Sequence, residues 1–167
     1  MSLAGQRAQL HRYTLIPRTL SFLLRDDKVL LLRLPEGHGA WGGHFNGVGG
    51  HIEQGEDPLS SARREIWEET GLTPERLLLS GVVIVDTGER PGIGLYVFVG
   101  EAKSEDLQPS PEGSPMWIAQ CDLEKLPMIE DLPLLLPRAI ASYGGSAPFS
   151  AVYTYNHAGE LTVRFEE

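Results

Sequence analysis

Apolar residues along this chain fall into short strand-like runs broken by two helix-like segments. Two runs come first, residues 18–24 (RTLSFLL) and 28–34 (KVLLLRL), joined by Arg25-Asp26-Asp27. Their length and the short polar turn predict a β-hairpin. Pro17 marks the start or edge of its first strand. A loop with four glycines follows at 35–43 (PEGHGAWGG). Residues 75–86 and 94–103 are nearly all apolar and predict long strands, with a turn cluster at 87–92 (TGERPG). The polar, proline-rich segment 104–114 reads as a loop, and 116–119 as a short strand. Residues 132–143 (LPLLLPRAIASY) read as a helix interrupted or restarted at Pro137. Alternation over 149–155 and 160–165, on either side of 156–159, predicts a C-terminal hairpin. The order fits an α+β sandwich with a mixed sheet between helices, an architecture that several folds share. Residues 13–167 read as a single domain and 1–12 as a flexible tail.

The segment 50–72 (GHIEQGEDPLSSARREIWEETGL) has a different logic. Asp57 is placed to cap a helix whose first residue is Pro58, where the missing N–H costs nothing. Gly71 stands where a helix needs a left-handed residue to stop. Glu65, Glu68 and Glu69 fall within an arc of about 100° on that helix. Leu59, Ala62 and Ile66 fall within about 60° of one another on a separate arc, predicting one core-facing side and one acidic side. Three crowded carboxylates repel unless protons or cations neutralise them. A hard divalent ion does this well, because Mg²⁺ takes one or two carboxylates and completes its shell with water and phosphate oxygens. A solvated acidic helix face is the plainer alternative.

Charge and cysteine content narrow the choice. The net charge of −9 over 167 residues argues against a nucleic-acid footprint, which needs clustered Lys and Arg. An acidic protein can still hold a polyphosphate when metal ions supply the positive charge. The lone Cys121 cannot form an internal disulfide and reads as a small buried or inert thiol. Nothing in the thiol count demands an oxidising compartment, no apolar run reaches membrane-spanning length, and the first residues lack a secretory core, so a cytoplasmic enzyme is expected.

The residues Gly50, Glu56, Arg64, Glu65, Ile66, Glu68, Glu69, Gly71 and Leu72 match the Nudix box, Gly-x5-Glu-x7-Arg-Glu-U-x-Glu-Glu-x-Gly-U with U bulky and aliphatic, at every specified position. Nine positions over 23 residues make a chance match very unlikely. The resemblance implies the Nudix fold, an α/β/α sandwich around a mixed sheet. It also implies a Mg²⁺- or Mn²⁺-dependent hydrolase of a nucleoside diphosphate linked to another group. Carried over residue by residue, it makes Glu65, Glu68 and Glu69 metal ligands, joined by the carbonyl of Gly49 or Gly50. Glu65, or a neighbouring box glutamate, would also help deprotonate the water. Arg64 would pair with Glu56 or a helix glutamate and orient the cluster. Glu112 is the candidate for a further acidic ligand from outside the box.

The flanks resemble the MutT-type hydrolases of oxidised purine nucleotides such as 8-oxo-dGTP. In that resemblance Asn46 contacts the base or merely forms an Asn-Gly turn. Glu130 and Asp131 lie near the base edge, with Asp131 the stronger candidate; the other reading is a helix N-terminal acid. Trp41 stacks on a base or fills a gap, and Trp117 belongs to the same spacing pattern. His38, His44 and His51 show no helical metal spacing. The expected reaction converts an oxidised purine nucleoside triphosphate to monophosphate and pyrophosphate. The alternatives are ADP-ribose, a dinucleoside polyphosphate or another X-linked nucleoside diphosphate as substrate, or a non-catalytic nucleotide sensor. The partner is a small nucleotide, with no nucleic acid or membrane, and the protein is a monomer or homodimer.

Overall fold

A computed structural model describes residues 11–166. The tail expected over 1–12 lies outside those residues apart from its last two. The expected hairpin is present as β1 (Leu15–Arg25) and β2 (Lys28–Arg33). The strands then run through β3 (Phe45–Asn46), β4 (Arg76–Asp86), β5 (Gly92–Glu101), β6 (Ser114–Ala119), β7 (Phe149–Tyr155) and β8 (Leu161–Glu166). Two helices interrupt them, α1 (Pro58–Thr70) and α2 (Leu132–Tyr143). All eight strands form one sheet in the order β3-β2-β1-β5-β4-β7-β8, with β6 added along β2. The sheet is mixed: β5 runs parallel to β1 and antiparallel to β4, and β7 runs parallel to β4.

Strand alternation puts a core on each face of the sheet. Phe22, Val29, Leu31, Val83 and Val97 meet Leu132, Leu135, Leu136 and Ala139 of α2. Leu23, Leu30, Val48, Leu77 and Phe98 meet Ala62 and Ile66 of α1. This is the expected sandwich, with the sheet between the helices.

Three local expectations change. Pro137 does not interrupt α2, which runs unbroken through it. The proline removes one N–H, while burial of Leu132, Leu135, Leu136 and Ala139 on both sides of it holds the two halves against the sheet. Cys121 is exposed rather than buried. Leu59 is 38% exposed and does not share the core side of α1. The buried side instead holds Ala62, Ile66, Glu65 and Glu69. On the helix wheel Glu69 lies only about 20° from Ala62, so the acidic arc adjoins the apolar one rather than opposing it.

The site is set by how β1 and β2 part. They pair only beside their turn, at Leu24↔Val29 and Arg25↔Lys28. Beyond that the loop leading into α1 fills the gap. Ser21 and Val48 exchange backbone hydrogen bonds of 2.6 and 3.0 Å, and Thr19 N–H donates to Gly50 O at 2.9 Å.

Candidate active site

Helix α1 is fixed at both ends. The Asp57 carboxylate accepts from the N–H groups of Leu59 and Ser60 at 2.9 and 3.0 Å. Gly71 takes φ 75° and returns its N–H to Trp67 O at 2.8 Å. The glycines ahead of the helix are dictated by crowding. A Cβ on Gly49 would overlap the Thr19 carbonyl, and one on Gly50 would come within 2.5 Å of the Glu65 carboxylate. At Gly49 the obstacle is backbone, so only glycine lets the loop pass β1 there.

Arg64 binds loop to helix. It grips Glu56 with two bonds of 2.7 and 2.9 Å, Glu65 at 2.8 Å, Glu68 at 3.1 Å and the His51 carbonyl at 3.1 Å. Glu56 also accepts from the Glu53 N–H at 3.0 Å, which closes the loop. The Arg64 guanidinium holds the Glu56 carboxyl down at about 2, so this pair stays charged.

The three helix glutamates differ sharply. Glu68 is exposed, whereas Glu65 and Glu69 are 7% and 2% exposed. Neither carboxylate oxygen of Glu69 has a hydrogen-bond partner among the described residues. Burial, then the charges of Glu112 and Glu65, push its pKa up to about 8. Burial raises Glu65 as well, against the pull of Arg64. Glu112, on the loop before β6, is therefore brought to the helix glutamates as the sequence suggested. Of the two candidate carbonyls, that of Gly50 is engaged by Thr19, while that of Gly49 accepts no hydrogen bond among the described residues.

Among the described residues, no three His, Cys, Asp or Glu side chains converge closely enough to hold an ion as they stand. Arg64 draws Glu65 and Glu68 towards itself. The residues nonetheless suit a hard cation. A nearly buried carboxylate with two unpartnered oxygens, a facing carboxylate and an open carbonyl make an all-oxygen donor set.

A cavity of about 280 Å³ opens beside this cluster, lined by Thr19, Trp41, Asn46, Asp131, Tyr153 and Tyr155. It adjoins a groove of about 680 Å³ that runs past Glu69, Glu112, His38 and His51. Arg18, Trp41, Asn46, Gly49 and Gly50 border both. Asn46 serves the turn and the cavity together, since its Oδ1 accepts from Gly47 N–H at 2.8 Å while its side chain faces the cavity. Asp131 stands at the start of α2, yet its carboxylate makes no capping bond. Burial first, and Glu130 next to it, push its pKa up to about 6. Trp41 packs edge-on to His44 with ring centroids 5.4 Å apart. Trp117 is not brought to the site. It packs on the α1 side of the sheet and borders neither cavity.

Sequence reasoning missed Arg18, Thr19, Tyr153 and Tyr155. The buried hydroxyls of Thr19 and Tyr153 have no hydrogen-bond partner among the described residues, and both line the cavity. A signal existed for the tyrosines, which are two apart on β7 and so share a face. Arg18 and Thr19 open an otherwise apolar strand, which was a weaker hint.

The NUDIX domain model matches residues 15–139. The oxidized purine nucleoside triphosphate hydrolase of Danio rerio is 33% identical over 110 residues, which cover 65% of this chain and 67% of that protein. An RNA pyrophosphohydrolase of Roseobacter denitrificans is 39% identical over 51 residues, covering 30% of this chain and 24% of that one. The crystal structure of the mutator MutT protein of Bacillus halodurans superposes with a TM-score of 0.71 at 28% identity, over 91% of this chain and 98% of that chain. A complete box on a capped helix, in this sheet order, together with the family match over most of its length, makes the chain a member of the Nudix hydrolase family.

Proposed function

We propose that the chain hydrolyses an oxidised purine nucleoside triphosphate, a substrate of the 8-oxo-dGTP class, to the monophosphate and pyrophosphate. The observation that carries this reading is the adjacency of the two depressions. A purine in the cavity of Asn46 and Asp131 leaves its phosphates pointing into the groove of Glu69 and Glu112. The Danio rerio relative supports the choice of substrate.

Glu65, Glu68 and Glu69 of the box, with the Gly49 carbonyl and Glu112, would hold the divalent ion, Mg²⁺ or Mn²⁺. When bound, the ion neutralises phosphate charge and acidifies a water. A box glutamate takes the proton from the attacking water. Arg64 keeps Glu56 and Glu65 in register with the helix and so orients the ligands. Burial favours the protonated form of Glu69 in the metal-free protein, and a bound cation would displace that proton.

At the base end, Asn46 has its amide N–H₂ free to donate once Oδ1 is held by the Gly47 N–H. Asp131 titrates close to neutrality, so it offers either a donor or an acceptor to the purine edge. Trp41 flanks the same cavity and offers a stacking face.

The test is a panel of nucleoside triphosphates, ADP-ribose, dinucleoside polyphosphates and 5′-triphosphorylated RNA, with the products identified. Pyrophosphate released fastest from an oxidised purine triphosphate is the expected result. Preferential turnover of ADP-ribose or of RNA ends would replace this reading.

A further inference from the structure

The cavity and the groove are lined by four carboxylates, Glu69, Glu112, Glu130 and Asp131. A polyanionic substrate entering them meets mostly negative charge. Metal ions answer this at the helix end. Nothing described so far answers it between the base and the metals.

Among the described residues that line either depression Arg18 is the one Lys or Arg, and it borders both. It is half-buried on β1, which pairs with β5 from Leu15 to Leu24 and is tied to the box loop by the Thr19–Gly50 hydrogen bond. Its position is therefore fixed by backbone. Its Nε donates to His51 Nε2 at 3.2 Å. The two terminal nitrogens have no protein partner among the described residues, and Arg18 forms none of the ion pairs found there. Arg64, on the helix, has its donors taken by Glu56, Glu65, Glu68 and the His51 carbonyl. Arg18 presents an open guanidinium fork whose base is already fixed by one bond. Such a fork matches two oxygens of one phosphate.

We infer that Arg18 binds the phosphate that stays with the nucleoside. This role for Arg18 rests on the proposed function, which seats the base in the cavity and the scissile bond in the groove. The group that spans their junction is then the sugar with its first phosphate, and Arg18 stands at that junction. His51 acts through Arg18, holding the fork flat against the box loop.

The experiment uses the full chain with Mg²⁺ and three probes: dGMP, deoxyguanosine and pyrophosphate. Each is measured for binding to wild type, Arg18→Gln and Arg18→Lys. The Gln variant is expected to weaken dGMP by about tenfold or more, the usual scale for losing a charge-assisted contact. Deoxyguanosine and pyrophosphate should change by less than about twofold, and Lys should recover part of the dGMP loss. In turnover, KM for the triphosphate should rise more than kcat falls. Unchanged Mn²⁺ affinity separates this from a collapsed box loop. Equal weakening of dGMP and deoxyguanosine, or weakening of pyrophosphate alone, overturns the inference. Wild-type protein that ignores dGMP but releases AMP from ADP-ribose overturns the triphosphate reading instead, and Arg18 then stands or falls on the same comparison with AMP and adenosine.

Discussion

Glu69→Gln should stabilise the metal-free protein while removing its response to divalent ions. Glu69 is 2% exposed, neither oxygen has a partner, and its pKa is pushed from an ordinary 4.5 to about 8. The folded state therefore holds this proton more tightly than the unfolded chain does. The sign follows from linkage: the group's contribution is fully present below pH 4.5 and is lost as pH rises through about 8. At about 1.4 kcal/mol per pH unit, the interval from 4.5 to pH 7 costs the wild type about 3 kcal/mol, and the full interval about 5 kcal/mol. Gln has the same shape and nothing to ionise. Its buried amide needs an acceptor, which Glu112 supplies in part, so a net gain of about 1–3 kcal/mol at pH 7 is expected. For a protein of this size that is a rise in Tm of roughly 2–12 °C. The assay is thermal unfolding of both proteins in EDTA at pH 5, 7 and 8.5, repeated with millimolar Mn²⁺. The gap in EDTA should widen with pH, Mn²⁺ should raise the Tm of the wild type alone, and turnover of the variant should fall by orders of magnitude. A variant less stable than wild type at pH 8.5 in EDTA, or one that gains as much from Mn²⁺, would refute the reasoning.

Three further outcomes follow from the same geometry. Asp131→Asn should abolish any change in base preference between pH 5 and 7, because the carboxyl titrating near 6 is gone; its metal-free stability should also exceed wild type above pH 6, since the raised pKa makes the wild-type contribution complete below 3.8 and lost as pH passes 6. Selectivity ratios and melting curves across that range check both. Asn46→Ala should lower kcat/KM for the preferred purine by about tenfold or more while changing a poor substrate much less, and an equal loss for every nucleotide would confine Asn46 to its turn. Arg64→Ala leaves Glu56 and Glu65 without their partner, so hydrogen exchange over residues 50–57 should quicken and metal affinity fall about 10–100-fold; unchanged exchange there would show that the loop is held by its backbone bonds alone.

How much of this was legible depended on how far apart in sequence the partners lie. The box could be read whole because one helix and its entry loop carry it: the Asp57 cap, the Gly71 stop and the Glu65–Glu69 spacing are all local rules. Glu112 and Asp131 were legible only through resemblance, since each reaches the site from its own loop. Arg18, Thr19 and Tyr153 were not, because strand order alone brings them together. Parallel pairing of β1 with β5 and of β7 with β4 sets Arg18 and Tyr153 around one cavity, and residues about 135 positions apart leave no periodicity to read. Trp117 shows the opposite failure, a plausible spacing whose side chain packs on the α1-side core instead.

The most informative error concerned α1 itself. Separate apolar and acidic sides are what solvation alone favours, because an isolated buried carboxylate is costly. Here Glu69 shares the buried side with Ala62 and Ile66, and Leu59 is left in solvent. The helix gives up an apolar contact and accepts an uncompensated acid. Arg64 cannot relieve this, since its nitrogens reach Glu56, Glu65 and Glu68 but not Glu69. A conflict left standing inside an otherwise consistent core marks a place where folding stability was yielded to function. A cation that binds only the folded state returns what the burial costs, and this makes Glu69, rather than the more exposed Glu68, the residue on which metal binding and stability are coupled.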